Sequence, residues 1–146
     1  LGRYAYASEQ TVGNHSSNNQ DGGSCMIVVA TNAPLDSRDL KRLAARALFG
    51  LARTGSSYSN GSGDFSIAFT TAQELRVQHG ETTVQPRTIL PTDGVSPLFQ
   101  AALETTEEAI YNSLLQATTI TGQGKTVKAI PIEQVKKILK THKAGK

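Results

Sequence analysis

The feature that most constrains this chain is a short apolar run that follows two glycines and a serine. The run covers residues 25–31, CMIVVAT, and is rich in β-branched side chains. An apolar run of this length, ended by Pro34, predicts a strand buried on both faces. Ser24 therefore stands directly before a strand, and the flexible pair Gly22 and Gly23 precedes it.

This placement of Ser24 suits self-cleavage of the chain. Glycine tolerates strained backbone conformations, so the Ser24 hydroxyl can approach the carbonyl carbon of Gly23. Cleavage would leave Ser24 with a free α-amine, and an amine that titrates near neutrality can act as the base for the neighbouring hydroxyl. A loop that merely leads into a buried strand is the alternative, and the residues by themselves favour that interpretation.

A second polar motif, NGSGDF at residues 60–65, lies where a loop rich in serine, glycine and asparagine meets a second predicted strand. Over residues 65–70, large apolar side chains alternate with smaller ones, which is typical of a strand. Composition alone favours a turn before that strand.

Residues 23–35, residues 60–65 and the segment NSLLQATT at 112–119 together resemble the small subunit of a known family. The family is that of the self-processing serine aminopeptidases, which comprises L-aminopeptidase D-Ala-esterase/amidases and β-peptidyl aminopeptidases. The resemblance spans most of the chain after residue 23, and its first two segments are the more specific ones. It implies a mixed α/β fold, the αββα sandwich, and cleavage between Gly23 and Ser24.

The resemblance also assigns roles to individual residues. Ser24 is the nucleophile that forms an acyl-enzyme, while Ser62 and Asp64 match the serine and the acid that orient its amine and relay the proton. Some relatives carry glutamate where this chain has Asp64, which is shorter by one methylene and changes the hydrogen-bond path. The asparagine that stabilises the oxyanion and most of the substrate pocket belong to the large subunit of the family.

By the same resemblance, residues 1–23 are a loop or tail from the end of the large-subunit region, and residues 24–146 are the small (β) subunit. The expected partners are a large (α) subunit from the same precursor and further copies of the paired subunits. The expected activity is the release of N-terminal residues from short peptides, amides or esters, without a cofactor. An acyltransferase like the ornithine acetyltransferases, which use threonine as nucleophile, and a non-catalytic subunit are the alternatives.

Composition weighs against other function classes. An apolar content of 38% is enough for a core. The net charge of +3 comes partly from lysines near the end of the chain, which lack the aromatic neighbours that nucleic-acid binding would use. No apolar run reaches the ~20 residues needed to span a bilayer, so we expect no membrane partner. The sequence does not define the cellular compartment, and we favour the cytoplasm.

Cysteine and histidine give no sign of a metal site. A lone cysteine, Cys25, excludes an internal disulfide framework and is interpreted as a small buried hydrophobe rather than as a catalytic thiol. The three histidines are scattered, without the spacing that gathers ligands on a metal.

The remaining pattern predicts helices over residues 37–54, 96–118 and 132–140 and a short strand over 127–130, with a long excursion over 78–95. Gly55 is the expected end of the first helix, and Ser96 the expected N-cap of the second. The second helix is expected to bury Phe99, Ala102, Leu103, Ile110 and Leu114.

Two further features favour ordinary structure over function. Residues 122–126, GQGKT, end like a phosphate-binding loop, but Thr119 stands where the leading glycine is required and a predicted helix precedes them, so we predict a turn. The basic side chains of the first helix lie off its apolar stripe and are expected to be solvated: Arg38, Lys41, Arg42 and Arg46.

Overall fold

The computed structural model describes residues 23–143 of the chain. These fold into strands β1 (Met26–Thr31), β2 (Phe65–Thr70), β3 (Ile120–Gly122) and β4 (Lys125–Val127) and helices α1 (Ser37–Arg53), α2 (Ser96–Gln116) and α3 (Ile132–Lys143). The expected mixture of strands and helices is confirmed. The tail predicted over residues 1–23 lies, except for Gly23, outside the described residues.

Strands β1 and β2 form a parallel pair, with Met26 opposite Phe65 and Thr31 opposite Thr70. Parallel strands need a crossover connection, and α1 supplies it. Both strands start at the same edge of the sheet, so the residues just before them lie side by side. This topology places Ser24 beside Gly63 and Cys25 beside Asp64.

Among residues 23–143, the chain covers the β1–β2 sheet on one face only. Exposure alternates along both strands, and Val29 and Ala68 pack against the core from the covered face. The opposite face carries large apolar side chains that are all at least 45% exposed: Met26, Val28, Phe65, Ile67 and Phe69. The prediction that β1 is buried on both faces is therefore wrong for the described residues, because an apolar run does not reveal whether they provide a covering layer on each face.

Helix α1 matches its prediction closely because its ends are defined by local signals. The Asp36 side chain caps its start by accepting from the Asp39 N–H at 2.8 Å. Gly55, with φ of +101°, lies directly after the end of the helix. Its buried stripe includes Leu43 and Ala47, and the core joins it to Leu35, Val95 and Ala102.

Helix α2 crosses α1 at close range. A Cβ atom on Gly50 would lie 2.6 Å from the carbonyl oxygen of Leu103, so only glycine permits this approach. The predicted N-cap is wrong: Val95 occupies the cap position without a side-chain hydrogen bond, and Ser96 is the first helical residue. Ala102 is buried as expected, whereas Leu114 is 45% exposed because α2 continues beyond the covering core.

Two of the basic side chains of α1 are packed rather than solvated. Arg42 donates to Asp39 at 2.7 Å, and the guanidinium groups of Arg42 and Arg46 lie 4.8 and 4.6 Å from the ring centroid of Phe99. The expectation of solvated arginines is wrong for this pair, since long basic side chains can cover apolar surface and stack on an aromatic ring.

The C-terminal part contains a hairpin that the sequence analysis only partly predicted. β3 and β4 are antiparallel, with Gly122 opposite Lys125. Between them, Gln123 and Gly124 have φ of 49° and 72°, the positive values of a tight two-residue hairpin turn. The predicted turn is thus confirmed, while the strand predicted over 127–130 instead ends at Val127. Within residues 23–143, every helix is too short or too polar to traverse a bilayer.

Candidate active site

Ser24 and the motif around Asp64 meet at the starting edge of the β1–β2 sheet. The Gly63 N–H donates to Ser24 Oγ at 2.9 Å. One Asp64 oxygen, Oδ1, accepts from the Cys25 N–H at 2.8 Å, and the other, Oδ2, accepts from the Ser62 hydroxyl at 2.7 Å. The Asp64 carboxylate therefore joins the two segments, because one of its oxygens accepts from Cys25 and the other accepts from Ser62.

These contacts continue the hydrogen-bond ladder of the sheet. The Phe65 N–H donates to the Cys25 carbonyl at 3.0 Å, so Cys25 is bonded on both sides to the motif opposite it. Gly63 then approaches Ser24 so closely that an added Cβ atom would lie 3.2 Å from Ser24 Oγ. That distance is shorter than an ordinary van der Waals contact, which explains a glycine at this position.

The three predicted site residues are brought together at one end of the sheet. The described donor to Ser24 Oγ is the main-chain N–H of Gly63, and Asp64 accepts from the Cys25 N–H directly after Ser24. That Ser62 and Asp64 reach the Ser24 side chain or amine, directly or through one water, stays a prediction. The catalytic roles of Ser24, Ser62 and Asp64, and the cleavage after Gly23, stay predictions.

The site is open to solvent in this chain. Ser24 and Gly63 are exposed, while Cys25, Ser62 and Asp64 are half-buried. A groove of about 490 Å³ starts at Cys25 and runs between β1 and the middle of α2. Cys25 is thus partly accessible, in contrast to the fully buried position expected for it.

Tyr58 was missed by the sequence analysis. Its hydroxyl donates to the main-chain carbonyl of Leu48 in α1. Burial of the ring, and next the negative charge of Asp64, raise the pKa of the Tyr58 phenol. A tyrosine in a loop of small polar residues was the available signal. In the part of the chain that the structure describes, the His, Cys, Asp and Glu side chains form no group of three that could hold a metal ion.

Most of the chain matches the sequence model of one peptidase family. Residues 4–127 match the sequence model of Peptidase family S58. The beta-peptidyl aminopeptidase BapA of Sphingosinicella microcystinivorans is 42% identical over 122 residues, which are 83% of this chain and 31% of the relative. That of Sphingosinicella xenopeptidilytica is 38% identical over 124 residues, 83% of this chain and 30% of the relative. The chain thus spans about a third of these relatives.

Solved structures agree in fold. The PH0078 protein from Pyrococcus horikoshii OT3 superposes with a TM-score of 0.75 at 44% identity, over 86% of this chain and 35% of that one. The L-aminopeptidase D-Ala-esterase/amidase from Ochrobactrum anthropi gives 0.72 at 32% identity, over 80% and 33%. That structure is described as a prototype for the serine aminopeptidases and a variant of the Ntn hydrolase fold. The fold expected from the sequence is confirmed at this level.

Proposed function

Because the chain belongs to peptidase family S58, we propose that it is the part of a self-processing aminopeptidase that carries the serine nucleophile. The observation that supports this most directly is the Gly63 N–H bonded to Ser24 Oγ at 2.9 Å, beside the Ser62 and Asp64 pair. The curated relatives are beta-peptidyl aminopeptidases. Short peptides, amides or esters with a free N-terminal residue are the proposed substrates.

In self-processing, Ser24 Oγ attacks the carbonyl carbon of Gly23. The C–N bond between the two residues breaks, the nitrogen takes up a proton as the new α-amine, and Gly23 remains as an ester on Oγ. Water then hydrolyses that ester and leaves Gly23 with a free carboxylate. The Gly63 N–H fixes the direction of Oγ during the attack, and Asp64 fixes the peptide plane of Cys25 beside it.

In turnover, the freed α-amine of Ser24 acts as the base. It accepts the hydroxyl proton as Oγ attacks the substrate carbonyl, the leaving amine takes a proton, and water releases the acyl group from Ser24. Ser62 donates its own proton to Asp64, so its oxygen keeps lone pairs that can accept from the Ser24 amine. This arrangement would hold the amine in place through Ser62.

A large subunit from the same precursor is the proposed partner. The chain spans about a third of its curated relatives, and the exposed apolar face of the β1–β2 sheet needs a second layer. Within residues 23–143, β1 also has a free edge. Because Cys25 accepts from Phe65 and alternate residues continue that ladder, Met26, Val28 and Ala30 direct their N–H and C=O groups away from β2. Oligomers of the paired subunits are part of the same proposal.

The test uses the full-length protein that carries this chain. Intact mass measurement of the wild type should show a fragment that begins at Ser24, and turnover of a small amino-acid p-nitroanilide should accompany it. Ser24→Ala should abolish both, while Ser96→Ala, at an exposed serine at the start of α2, should change neither. Full activity with the bond after Gly23 intact would contradict the mechanism.

Two outcomes would redirect the proposal. Transfer of the acyl group to an added amine in preference to water would identify an acyltransferase, although serine rather than threonine at position 24 favours hydrolysis. Absence of any turnover by a processed wild type would identify a non-catalytic subunit.

A further inference from the structure

Tyr58 adopts a backbone conformation that a bulky residue rarely takes. Its φ is +48°, and within residues 23–143 only one other non-glycine residue, Gln123, has a positive φ. Gln123 belongs to the hairpin turn between β3 and β4, which requires that conformation. No such turn explains Tyr58. A strained residue of this kind persists when its surroundings hold it in place, and such residues cluster at functional sites.

The surroundings that hold Tyr58 are on helix α1. The phenol hydroxyl donates to the carbonyl oxygen of Leu48, and Tyr58 is itself 41% exposed, as is most of the loop before β2. The main-chain N–H groups of Thr54 and Gly55 also donate to carbonyl oxygens of α1, but both hydrogen bonds lie at the end of the helix. The Tyr58 hydroxyl therefore provides the described contact that ties the middle of the loop back to α1.

From Tyr58, a short series of hydrogen bonds leads to the nucleophile. The Ser62 N–H donates to the Ser59 carbonyl at 2.9 Å, which closes a turn directly after Tyr58. Ser62 then donates to Asp64, and Gly63 donates to Ser24 Oγ. The position of the Gly63 N–H thus depends on a turn whose preceding residue is anchored on α1.

We propose that Tyr58 is a positioning residue: its phenol fixes the turn over residues 59–62 on α1 and so aims the Gly63 N–H at Ser24 Oγ. Burial and the nearby Asp64 charge raise the pKa of this phenol, so the hydroxyl keeps its proton and stays a donor across the neutral range. The geometric part of the inference stands on the structure, whereas its consequence for turnover rests on the proposed function.

The main test is Tyr58→Phe in the full-length protein, because this change removes one hydroxyl and keeps the ring. Amide hydrogen exchange of residues 59–63 should become faster, by about tenfold for the loss of one hydrogen bond. The kcat on a small p-nitroanilide should fall by about the same factor with KM nearly unchanged, since the substrate-binding surface is not altered. The matched control is Tyr111→Phe on α2, a tyrosine that is 39% exposed, which should change neither measurement.

A second variant separates positioning from stability. Tyr58→Gly relieves the strained backbone but removes the ring and its hydroxyl, so in the folded protein exchange of residues 59–63 should rise and kcat should fall by more than in Tyr58→Phe. A merely structural tyrosine would instead lower the midpoint and leave kcat unchanged in the folded protein, which would overturn the inference.

Hydrogen exchange also separates the two proposals. Unchanged exchange of residues 59–63 in Tyr58→Phe would overturn the positioning role whatever the activity. Faster exchange in that variant, together with a wild type that never turns over substrate, would support the positioning role and remove the proposed function.

Discussion

At the scale of single residues, Asp64 organises the site through its two oxygens. Oδ1 accepts from the main chain after the nucleophile, and Oδ2 accepts from Ser62. A carboxylate that is ionised can only accept hydrogen bonds, and both contacts are of this kind. Asp64 therefore combines a structural task, joining β1 to the loop before β2, with the proposed relay task.

Asp64→Asn separates these tasks. The amide oxygen can still accept from Cys25, but the charge that would stabilise a protonated Ser24 amine is lost. We expect kcat on a small p-nitroanilide to fall by about 100-fold, a typical contribution of acid–base catalysis, with a much smaller change in KM. Asp93→Asn, at an exposed acid in the turn before α2, is the control. Near-normal turnover of Asp64→Asn would exclude the relay role.

The residues of the site differ in how far the sequence could predict them. Ser24, Ser62 and Asp64 were proposed because their side chains match a family pattern, and the parallel pairing of β1 and β2 does bring them together. Gly63 was missed because it acts through its main-chain N–H, which no side-chain pattern encodes. Tyr58 was missed because its partner is a carbonyl oxygen ten residues earlier, a contact set by the path of the loop.

At the scale of elements, prediction succeeded where the signals are local. The Asp36 cap and Gly55 define the ends of α1, and the alternation of large and small residues defines β2. Prediction failed where the surroundings in the folded chain, rather than the local sequence, determine the structure. The strand β3 is three residues long and exposed, so its sequence carries no periodic signal. Ser96 was a reasonable cap by type, but the turn over Thr92–Gly94 leads directly into the helix.

The excursion before α2 is attached to α1 by a buried acid. Asp39 is 1% exposed and accepts from Arg42 at 2.7 Å and from the Thr92 hydroxyl at 2.8 Å. The hydrogen bond from Arg42, and next that from Thr92, lower the pKa of Asp39 below 3.8. Asp39 is the only one of these three side chains that titrates in acid. The attachment of the excursion to α1 is therefore sensitive to low pH.

The lowered pKa of Asp39 means that its contribution to stability decreases at low pH. The folded state favours the charged Asp39 carboxylate. Its contribution to stability is therefore complete above the pKa of Asp39 in the unfolded chain, and it is lost as the pH falls through the pKa of Asp39 in the folded state. We expect Asp39→Asn to be less stable than wild type at neutral pH, and the difference in unfolding midpoint to shrink between about pH 5 and pH 2. Thermal unfolding monitored by circular dichroism measures this. A difference that stays constant over that range would show that Asp39 contributes through packing alone.

At the scale of the whole molecule, the described residues form one helix-covered layer with an apolar sheet face left exposed. Helices α1 and α2 cover one face of the β1–β2 sheet, and the other face presents a continuous apolar surface of Met26, Val28, Phe65, Ile67 and Phe69. Such a surface is costly to expose to water. The expectation of a doubly buried β1 was wrong for the same reason: the apolar run is suited to two covering layers, and the described residues provide one of them.

A charge in the middle of that face should block assembly without unfolding the chain. Ile67 is 60% exposed, so Ile67→Glu leaves the packing on α1 intact. Beneath a second sheet, however, an unpaired carboxylate would be desolvated at a cost of about 3 kcal/mol or more. In the full-length protein we therefore expect Ile67→Glu to lose cleavage after Gly23, so that it stays an uncut precursor that elutes in aggregates. Val84→Glu, at a fully exposed apolar residue in the excursion, should assemble and process normally. Normal assembly of Ile67→Glu would mean that this face stays in water, and the large subunit would then have to contact the chain elsewhere.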